Sequence, residues 1–255
     1  MSMDKLKVTI EFAENMAMCI KFPGKKIWID INPHIDTPSF SYVKNDQWNI
    51  IKTDPKWAPP TEVFFTHLHA DHYSDYRTEE ISELFPEVPI ISPFGFCFGG
   101  GKKYQQETEE IPGIRIHGYD DYVYESEGLK ATFIRTVHSS KYFIDAPHRS
   151  ILLEYGGKSV FISGDAHVTE PMLVDRLENM HVDLAIVNFP WITMEKTRSV
   201  LENYMAPSHV LLVHIPGPDH DFDGYRALTA GCTAYLKTPD VKSALTPMST
   251  FEFML

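Results

Sequence analysis

The sequence has few cysteines, and their positions do not suit bonding. Among 255 residues only Cys19, Cys97 and Cys232 are present, far apart and without a CxxC pair. An odd number of separated thiols excludes a disulfide framework and indicates no thiolate metal site. We therefore expect the three side chains to pack as small hydrophobic groups in a reducing compartment.

Basic residues are scarce beside acidic ones. The chain has 23 Lys and Arg against 35 Asp and Glu, which gives a formal net charge of -12. Nonspecific binding to nucleic acid or to an anionic membrane surface needs clustered cations. The composition therefore predicts that neither nucleic acid nor membrane is a partner.

Long apolar runs are also missing. No uncharged stretch approaches the roughly 18 residues of a membrane span, and the segment MSMDKLKVTIEF has charges where a secretory signal needs an apolar stretch. These absences predict a cytoplasmic protein. A chain of this length can still hide roughly three quarters of its unfolded surface, so we predict one domain over residues 1–255. The oligomeric state, a homo-oligomer included, is left open.

Hydrophobic patterns predict strands at both ends of the chain and alternating strands and helices in the middle. The predicted strands lie at 7–12, 16–22, 25–31, 62–65, 129–137, 150–155, 158–163, 183–189, 209–214 and 249–253. The predicted helices lie at 77–85, after Pro171 and at 194–205. Residues 32–60, rich in Pro, Asp, Asn and Trp without a clear period, are expected to form an irregular excursion. The pattern favours an α+β fold with two mixed β-sheets flanked by helices.

Four candidate metal ligands follow the buried strand at 62–65. His67 and His69 are two residues apart at the strand end, where the period-two geometry of a strand directs both imidazoles to one side. Asp71 and His72 follow as the chain turns toward the next helix. Nitrogen and carboxylate ligands on a short loop of this kind suit a first-row divalent metal.

Three later strands also end in a histidine or an aspartate. His138 follows the strand at 129–137, Asp165 follows SVFIS, and His214 ends HVLLVH. A site built at one rim of a sheet layer requires ligands at such strand ends. Four separate strand ends therefore offer seven candidate ligands.

The segment from His67 to His72 resembles a known family of enzymes. It matches the HxHxDH signature of the metallo-β-lactamase-fold hydrolases without a gap, and the resemblance extends from the opening strands to the closing strand. It implies a four-layer αβ/βα sandwich with metal ions in a cleft between the edges of two sheets. Residues 191–216 are similar to a block of the ascorbate-6-phosphate-lactonase-like group within that family.

The resemblance also implies two metal sites that share one carboxylate. It assigns three ligands to one metal, namely His67, His69 and His138. It assigns Asp71, His72 and His214 to the other metal, and Asp165 as the bridge between the two. The two ions are expected to be zinc, which suits imidazole-rich sites, although manganese or iron would fit the same ligands. Asp71 and Asp165 are counted among the catalytic residues as carboxylates of this centre.

The expected chemistry is hydrolysis. Two dications stabilise a bridging hydroxide near neutral pH, and this nucleophile attacks a carbonyl carbon or a phosphorus atom. The ions also make the cleft positive inside an acidic protein. We therefore expect a small, anionic ester, lactone or phosphodiester as the substrate.

Other polar residues near these ligands have candidate roles. His148, Lys141 and Arg149, on the loop after His138, are candidates for contact with an anion, with a solvated surface charge as the alternative for the two cations. His148 and His167 are the candidate catalytic histidines, and His167 is the candidate proton donor to the leaving group. Asp30 resembles the strand-end aspartate of the family and is expected either to orient a ligand imidazole or to cap a turn.

Two alternative functions share this ligand pattern. A tRNA-type nucleic-acid phosphodiesterase would need a basic tract or an RNA-binding arm, and neither is visible in the sequence. A di-iron redox protein is the second alternative, but Glu often replaces His at a ligand position there, whereas all nitrogen positions here are His. The hydrolase is the leading hypothesis.

Overall fold

Sixteen strands and six α-helices are present in the part of the chain that the computed structural model describes, namely residues 5–34, 40–94, 97–99, 102–104, 113–118, 120–178 and 180–255. The strands are β1 (Lys7–Glu14), β2 (Ala17–Phe22), β3 (Lys25–Ile29), β4 (Glu62–Phe64), β5 (Ile90–Pro93), β6 (Cys97–Gly99), β7 (Lys102–Tyr104), β8 (Ile114–Ile116), β9 (Tyr122–Ser126), β10 (Leu129–Thr136), β11 (His148–Tyr155), β12 (Lys158–Ile162), β13 (Leu184–Asn188), β14 (His209–Val213), β15 (Asp240–Ser243) and β16 (Ser249–Met254). The helices are α1 (Asn45–Thr53), α2 (Asp75–Leu84), α3 (Pro171–Leu177), α4 (Pro190–Thr193), α5 (Glu195–Val200) and α6 (Tyr225–Thr233).

The strands form two seven-stranded sheets and a separate hairpin of β6 and β7. The first sheet has the order β16-β1-β2-β3-β4-β5-β8, and the second has the order β15-β14-β13-β12-β11-β10-β9. In the first sheet β16 to β3 pair antiparallel and β3 to β8 pair parallel. In the second sheet β9 to β12 pair antiparallel and β12 to β15 pair parallel. Both sheets are mixed, as the sequence predicts.

Three apolar clusters define four layers. The central cluster lies between the sheets and joins residues such as Ile10 and Phe64 of the first sheet to Phe133 and Leu211 of the second. A second cluster packs helical side chains onto the outer face of the second sheet; they include Leu173, Trp191 and Val200. A third packs residues of α1 and α2 onto the outer face of the first sheet; they include Trp48, Ile51 and Ile81. This arrangement confirms the expected α+β sandwich with helices on both outer faces.

The two sheets meet along one rim. This rim holds the carboxyl ends of the parallel strands in each sheet. The Arg149 N–H of β11 donates to the Thr66 carbonyl just past β4, at 2.8 Å. The His214 N–H, just past β14, donates to the Asn15 carbonyl in the β1–β2 turn, at 3.0 Å. Side chains that follow strands of both sheets are therefore brought to one place.

The expected irregular excursion at 32–60 is wrong in part, because it contains α1. The Gln47 side chain accepts from the Lys44 N–H at 2.7 Å and closes the start of the helix. Trp48 and Ile51 are buried one turn apart and attach the helix to the first sheet. Tertiary burial of two large side chains thus outweighs a local composition that favours turns.

The expected helix at 194–205 is confirmed, because α5 leads without a break into a π-helix over Leu201–Met205. Met194 separates α5 from the preceding α4, and the helical segment ends at Ala206, which adopts a left-handed conformation. No helix among the described residues is both long enough and apolar enough to cross a bilayer.

Glu11 on β1 links three neighbouring segments from a buried position. Its carboxylate accepts hydrogen bonds from Lys21 of β2, from Lys56 at 2.8 Å and from Thr250 of β16 at 2.7 Å. Burial alone would raise the pKa of Glu11, but the hydrogen bonds from these groups outweigh it and lower the pKa below the ordinary 4.5. The ionised carboxylate therefore stabilises the fold.

We predict that Glu11→Gln lowers the free energy of unfolding by about 1–3 kcal/mol at pH 7. Because the folded pKa of Glu11 is depressed, the stabilisation is present above pH 4.5 and is lost as the pH falls through the folded pKa. Urea unfolding at several pH values should show the difference between wild type and variant shrinking below pH 4.5. Glu252→Gln, which removes an exposed pair with Lys7, is the control and should change stability little. An equal loss in both variants, or a difference independent of pH, would contradict the prediction.

Candidate metal centre

The loop after β4 carries four of the predicted ligands in a tight turn. The N–H groups of His72 and Tyr73 both donate to the His69 carbonyl, at 2.9 and 2.8 Å. This turn folds the loop back so that the rings of His67 and His72 lie 4.0 Å apart between centroids. Both rings are fully buried. The local sequence therefore concentrates its imidazoles on one side before α2 begins.

The second sheet supplies the other three predicted ligands from strand ends. His138 follows β10 and forms an isolated β-bridge with Ala166, which places it beside the segment after β12. Asp165 lies in that segment, and His214 directly follows β14 with a left-handed φ of 56°. All three ligands are at most 8% exposed. The structure thus brings together all seven residues that the sequence singled out as metal ligands.

The ligand atoms fall into three overlapping groups in which all atoms lie within 4.8 Å of one another. The groups are His67, His69 and His138; His67, His72 and Asp165; and Asp71, His72 and His214. The first and third groups have the composition expected for the two metal sites. The middle group takes one imidazole from each of them and adds the expected bridge.

Several buried ring nitrogens in this cluster have no hydrogen-bond partner among the described residues. They are Nε2 of His67, Nε2 of His69 and Nε2 of His138. A buried polar atom without a partner costs about 1–3 kcal/mol of folding free energy. Three such atoms in one place would therefore destabilise the fold if nothing bound to them. A divalent cation would accept these lone pairs, and the donor set therefore fits a metal ion.

Nitrogen and oxygen donors are also spaced as ligands on the Asp71 side of the cluster. Nε2 of His72 and Nε2 of His214 are 3.0 Å apart, and Asp71 Oδ2 lies 3.4 Å from His214 Nε2. Four ligands about 2.1 Å from one ion would lie about 3.4 Å from each other. Asp165 stands between the two sides, with Oδ2 at 3.3 Å from His138 Nε2 and Oδ1 at 3.4 Å from His214 Nε2.

Asp30, at the end of β3, orients two of the ligand imidazoles. Its Oδ2 accepts from His72 Nδ1 at 2.9 Å and from the Thr66 hydroxyl at 2.6 Å, and its Oδ1 accepts from the Thr66 N–H at 2.8 Å. The same hydroxyl lies 3.0 Å from His67 Nδ1 and accepts the proton there. Both imidazoles thus carry their proton on Nδ1 and direct Nε2 into the cluster. The expected contact of Asp30 with the second nitrogen of a candidate ligand imidazole is confirmed.

Burial and charge set the protonation of these groups. Burial lowers the pKa of His67 well below its ordinary value and that of His69 to about 4, so both are neutral and able to bind a cation at pH 7. Burial also lowers the pKa of His72, but the carboxylates of Asp165 and Asp71 outweigh it and raise the pKa. A positive charge is therefore favoured at the position between these carboxylates, and a divalent ion would supply it.

His148 lies behind the cluster instead of facing a substrate. It is 2% exposed, its Nε2 accepts from the Asp165 N–H at 2.8 Å, and its Nδ1 bonds to the Thr136 hydroxyl at 2.6 Å. With both nitrogens occupied inside the protein, the geometry does not support the expected contact with an anion. It supports a positioning role for His148, because the bond to the Asp165 N–H fixes the backbone that carries the central carboxylate.

Gly164 makes this close approach sterically feasible. A Cβ atom at this position would lie 2.7 Å from His148 Nε2 and 2.8 Å from Thr66 Cβ, and the φ of Gly164 is 53°. Both the missing side chain and the left-handed backbone are therefore required. The sequence segment SGDAH shows this glycine, but its reason is visible only when Thr66 and His148 are in place.

The remaining candidates divide between the interior and the surface. Arg149 is buried, and its guanidinium donates to the carbonyls of Asp120 at 2.6 Å and Gly118 at 2.8 Å. This role in holding a loop was not among the expected ones. Lys141 and His167 are exposed near the cluster, and the His167 N–H donates to the Val137 carbonyl at 2.7 Å.

Sequence reasoning missed two asparagines that contact the ligands. Asn188, at the end of β13, directs Nδ2 toward Asp165 Oδ1 at 3.4 Å. Asn15, in the β1–β2 turn, donates from Nδ2 to the Asp71 carbonyl at 2.8 Å and accepts from the His214 N–H with its own carbonyl. Asn15 has a φ of 53°, a conformation that asparagine tolerates well. A turn from the first sheet thus holds Asp71 and His214, two candidate ligands of one group, in their relative positions.

We predict that Asp30→Asn reduces metal affinity about 10- to 100-fold. An amide in place of the carboxylate cannot accept at both oxygens, so at least one of the bonds to His72 and Thr66 is lost. Competition with a chromophoric chelator measures the affinity. Asp54→Asn, in the exposed turn after α1, is the control and should bind metal like the wild type. Unchanged affinity in Asp30→Asn would show that the network does not orient the ligands.

We predict that Asn15→Gly weakens the site of Asp71, His72 and His214 about tenfold and leaves the site of His67, His69 and His138 intact. Glycine keeps the left-handed turn and the carbonyl that accepts from His214, so only the bond to the Asp71 carbonyl is lost. Stepwise titration with Co²⁺, followed by its visible absorption, separates the two sites. A uniform loss at both sites together with a lower melting temperature of the metal-free protein would instead indicate general destabilisation.

The chain resembles solved structures over almost its whole length. An isothiocyanate hydrolase from Delia radicum gut bacteria matches with a TM-score of 0.64 and 13% identity, over 96% of this chain and 99% of that one. The metallo-β-lactamase fold protein YhfI from Bacillus subtilis matches with a TM-score of 0.59 and 12% identity, over 98% and 100%. Igni18, a metallo hydrolase from the archaeon Ignicoccus hospitalis, matches with a TM-score of 0.56 and 16% identity, over 98% and 99%.

No family model matches the sequence, and no curated protein matches it either. At identities of 12–16% the structural likeness concerns the fold alone. Together with the two mixed sheets and their flanking helices, it shows that the chain has the metallo-β-lactamase fold.

Proposed function

We propose that the protein is a metal-dependent hydrolase that binds two divalent ions and acts on a small molecule. The observation that carries this proposal is the convergence of seven buried or partly buried ligands into two triads joined by Asp165. Two of the structurally similar proteins are a metallo hydrolase and an isothiocyanate hydrolase, which supports hydrolysis as the reaction class. Fold alone would not select the chemistry, so the ligand geometry is the main support.

The ions, when bound, would supply a hydroxide nucleophile at neutral pH and polarise the carbonyl or phosphoryl oxygen of the substrate. The protein contributes the neutral imidazoles of His67 and His69 beside ionised carboxylates. Burial would raise the pKa of Asp71, but the neighbouring His72 and His214 outweigh it and lower the pKa to about 2. This carboxylate therefore stays charged over the whole working range of pH.

His167 is the proposed proton donor to the leaving group. It lies two residues after Asp165, its ring is exposed toward solvent, and Nδ1 is 3.4 Å from the Thr169 hydroxyl. Its backbone is held by the bond to the Val137 carbonyl, so the ring has a fixed point of attachment beside the centre. His148 has no free nitrogen for such a role and acts by positioning Asp165.

Zinc is the proposed metal, because imidazole nitrogen and carboxylate oxygen together suit it, and manganese or iron would fit the same donors. The proposed substrate is small and anionic, since the pair of ions would make the cleft positive while the net charge of -12 repels polyanions. A lactone is the first substrate to test, on the likeness of residues 191–216 to the lactonase-like group. A cytoplasmic location and a single catalytic domain belong to the same proposal.

The test is elemental analysis of the purified protein, combined with assays against lactones, phosphodiesters, thioesters and β-lactams. We expect close to two metal ions per chain and hydrolysis of at least one class, both abolished by a chelator and restored by added metal. His67→Ala should bind less metal, whereas His181→Ala, which changes an exposed histidine far from the ligand groups, should bind as much as the wild type. Less than one metal per chain together with no hydrolysis would refute the proposal.

A further inference from the structure

The loop between His138 and β11 exposes a run of large apolar side chains beside the metal ligands. Tyr142 is 78% exposed and Ile144 is 58% exposed, with the half-buried Phe143 between them. Consecutive exposed apolar residues are unfavourable on a protein surface unless they serve a function. Their position next to the candidate metal centre indicates what that function is.

Phe143 is in direct contact with two of the ligand imidazoles. Its ring centroid lies 4.6 Å from that of His69 and 5.5 Å from that of His138, both in edge-to-face geometry. The loop is held there by main-chain bonds, because the Phe143 N–H donates to the Ser140 carbonyl at 3.0 Å and the Ala146 N–H donates to the Phe143 carbonyl at 2.8 Å. The phenyl ring is therefore a fixed apolar wall at this side of the centre.

A second aromatic ring lies against the other side of the centre. The centroid of Phe40 is 3.9 Å from that of His214, again in edge-to-face geometry. Phe40 also packs at the border of the apolar cluster on the outer face of the second sheet. A molecule that reaches the ligands thus meets an aromatic side chain beside each triad.

A cavity of about 390 Å³ lies behind the same loop. Its apolar wall is formed by Phe94, Ile116, Val137, Ile144, Ala146 and Pro147. Its volume is in the range of pockets that accept small organic molecules. Its polar lining is formed by Arg135, Thr136, Asp145, His148 and Arg149, so the cavity is mixed in character. The guanidinium of Arg149 and both ring nitrogens of His148 are bonded to protein atoms.

We propose that the substrate carries an aromatic or branched alkyl group next to the bond that is cleaved, and that this group packs on Phe143 and on the exposed side chain of Ile144. This inference rests on the proposed function and assigns it a substrate class. The ions would polarise the reacting carbonyl group, and the loop would contact the apolar group. Substrates of this class are amphiphilic acyl compounds, such as arylalkanoyl esters and lactones with a hydrophobic side chain.

The kinetic test compares trifluoroethyl acetate with trifluoroethyl phenylacetate, which share one leaving group. The kcat/KM for each ester is divided by the rate constant for alkaline hydrolysis of the same ester. We expect this corrected kcat/KM of the wild type to be at least tenfold higher for the phenylacetyl ester than for the acetyl ester. Phe143→Ser and Ile144→Ser should each reduce this ratio several-fold, because a buried phenyl group loses apolar contact. Val123→Ser, which changes a half-exposed residue on the edge strand β9, is the control and should keep the ratio of the wild type.

A binding measurement tests the inference independently of catalytic activity. Calorimetric titration with phenylacetate and with acetate should show tighter binding of phenylacetate, and Ile144→Ser should lose the difference while its metal content stays at the wild-type level. Equal binding of both acids by the wild type would overturn the inference, even if the protein proves to be a metal-dependent hydrolase. Absence of metal and of all hydrolysis would instead overturn the proposed function.

Sedimentation of the wild type and of Ile144→Ser tests whether the exposed run is instead an interface between two copies of the chain. We expect the same oligomeric state for both proteins. A wild-type dimer that dissociates in Ile144→Ser would show that a second copy of the chain covers this loop, and it would overturn the assignment of the loop to a substrate.

Discussion

The buried carboxylate of Asp30 is the interaction on which the rest of the candidate centre depends. It lies at the end of β3 in a left-handed conformation with a φ of 44°, and it is completely shielded from solvent. One oxygen accepts from both His72 and the Thr66 hydroxyl, and the other accepts from the Thr66 N–H. Through these three bonds the end of one parallel strand fixes the loop after its neighbour. The loop in turn places His67 and His69 in one ligand triad and His72 in the other.

The local part of this design can be predicted from the sequence. Two histidines in alternate positions after a buried strand point the same way whatever the rest of the fold, and the Asp and His that follow complete a recognisable pattern. The strands that carry His138, Asp165 and His214 are also short apolar runs with clear ends. In the structure β10, β12 and β14 run in the same direction, so their carboxyl ends lie at one rim of the second sheet and bring these three residues together. The two mixed sheets and their outer helices follow from the same alternation of elements.

Contacts that depend on how the two sheets stack could not be predicted in this way. The Asn15 carbonyl accepts from the His214 N–H of the other sheet, and nothing in the β1–β2 turn marks Asn15 as part of a candidate metal centre. The same holds for Gly164, whose neighbours Thr66 and His148 come from different sheets. His148 was singled out for its residue type, but the pairing of β10 and β11 places its ring opposite Thr136, inside the protein. Residue type therefore pointed to the candidate ligands that the structure brings together, and tertiary packing decided which of the other polar side chains face the cleft.

The division of charge and apolar surface in this protein constrains how it can select a substrate. Metal ions held by two triads would attract any small anion or polarised carbonyl, so they supply reactivity with little discrimination. Arg149 does not add specificity for an anion, because its guanidinium is bonded to main-chain carbonyls. Lys141 extends over the exposed Tyr142 ring, 5.1 Å from its centroid. Apolar contact is additive, at about 0.8 kcal/mol for each buried methylene group, and it can therefore rank substrates that share one reacting group. The Ser139 N–H donates to the Asp165 carbonyl at 2.8 Å, so the loop that offers this contact is tied to the segment that carries the central carboxylate. The loop proposed to contact the apolar group and the segment of the candidate metal centre are thus directly connected.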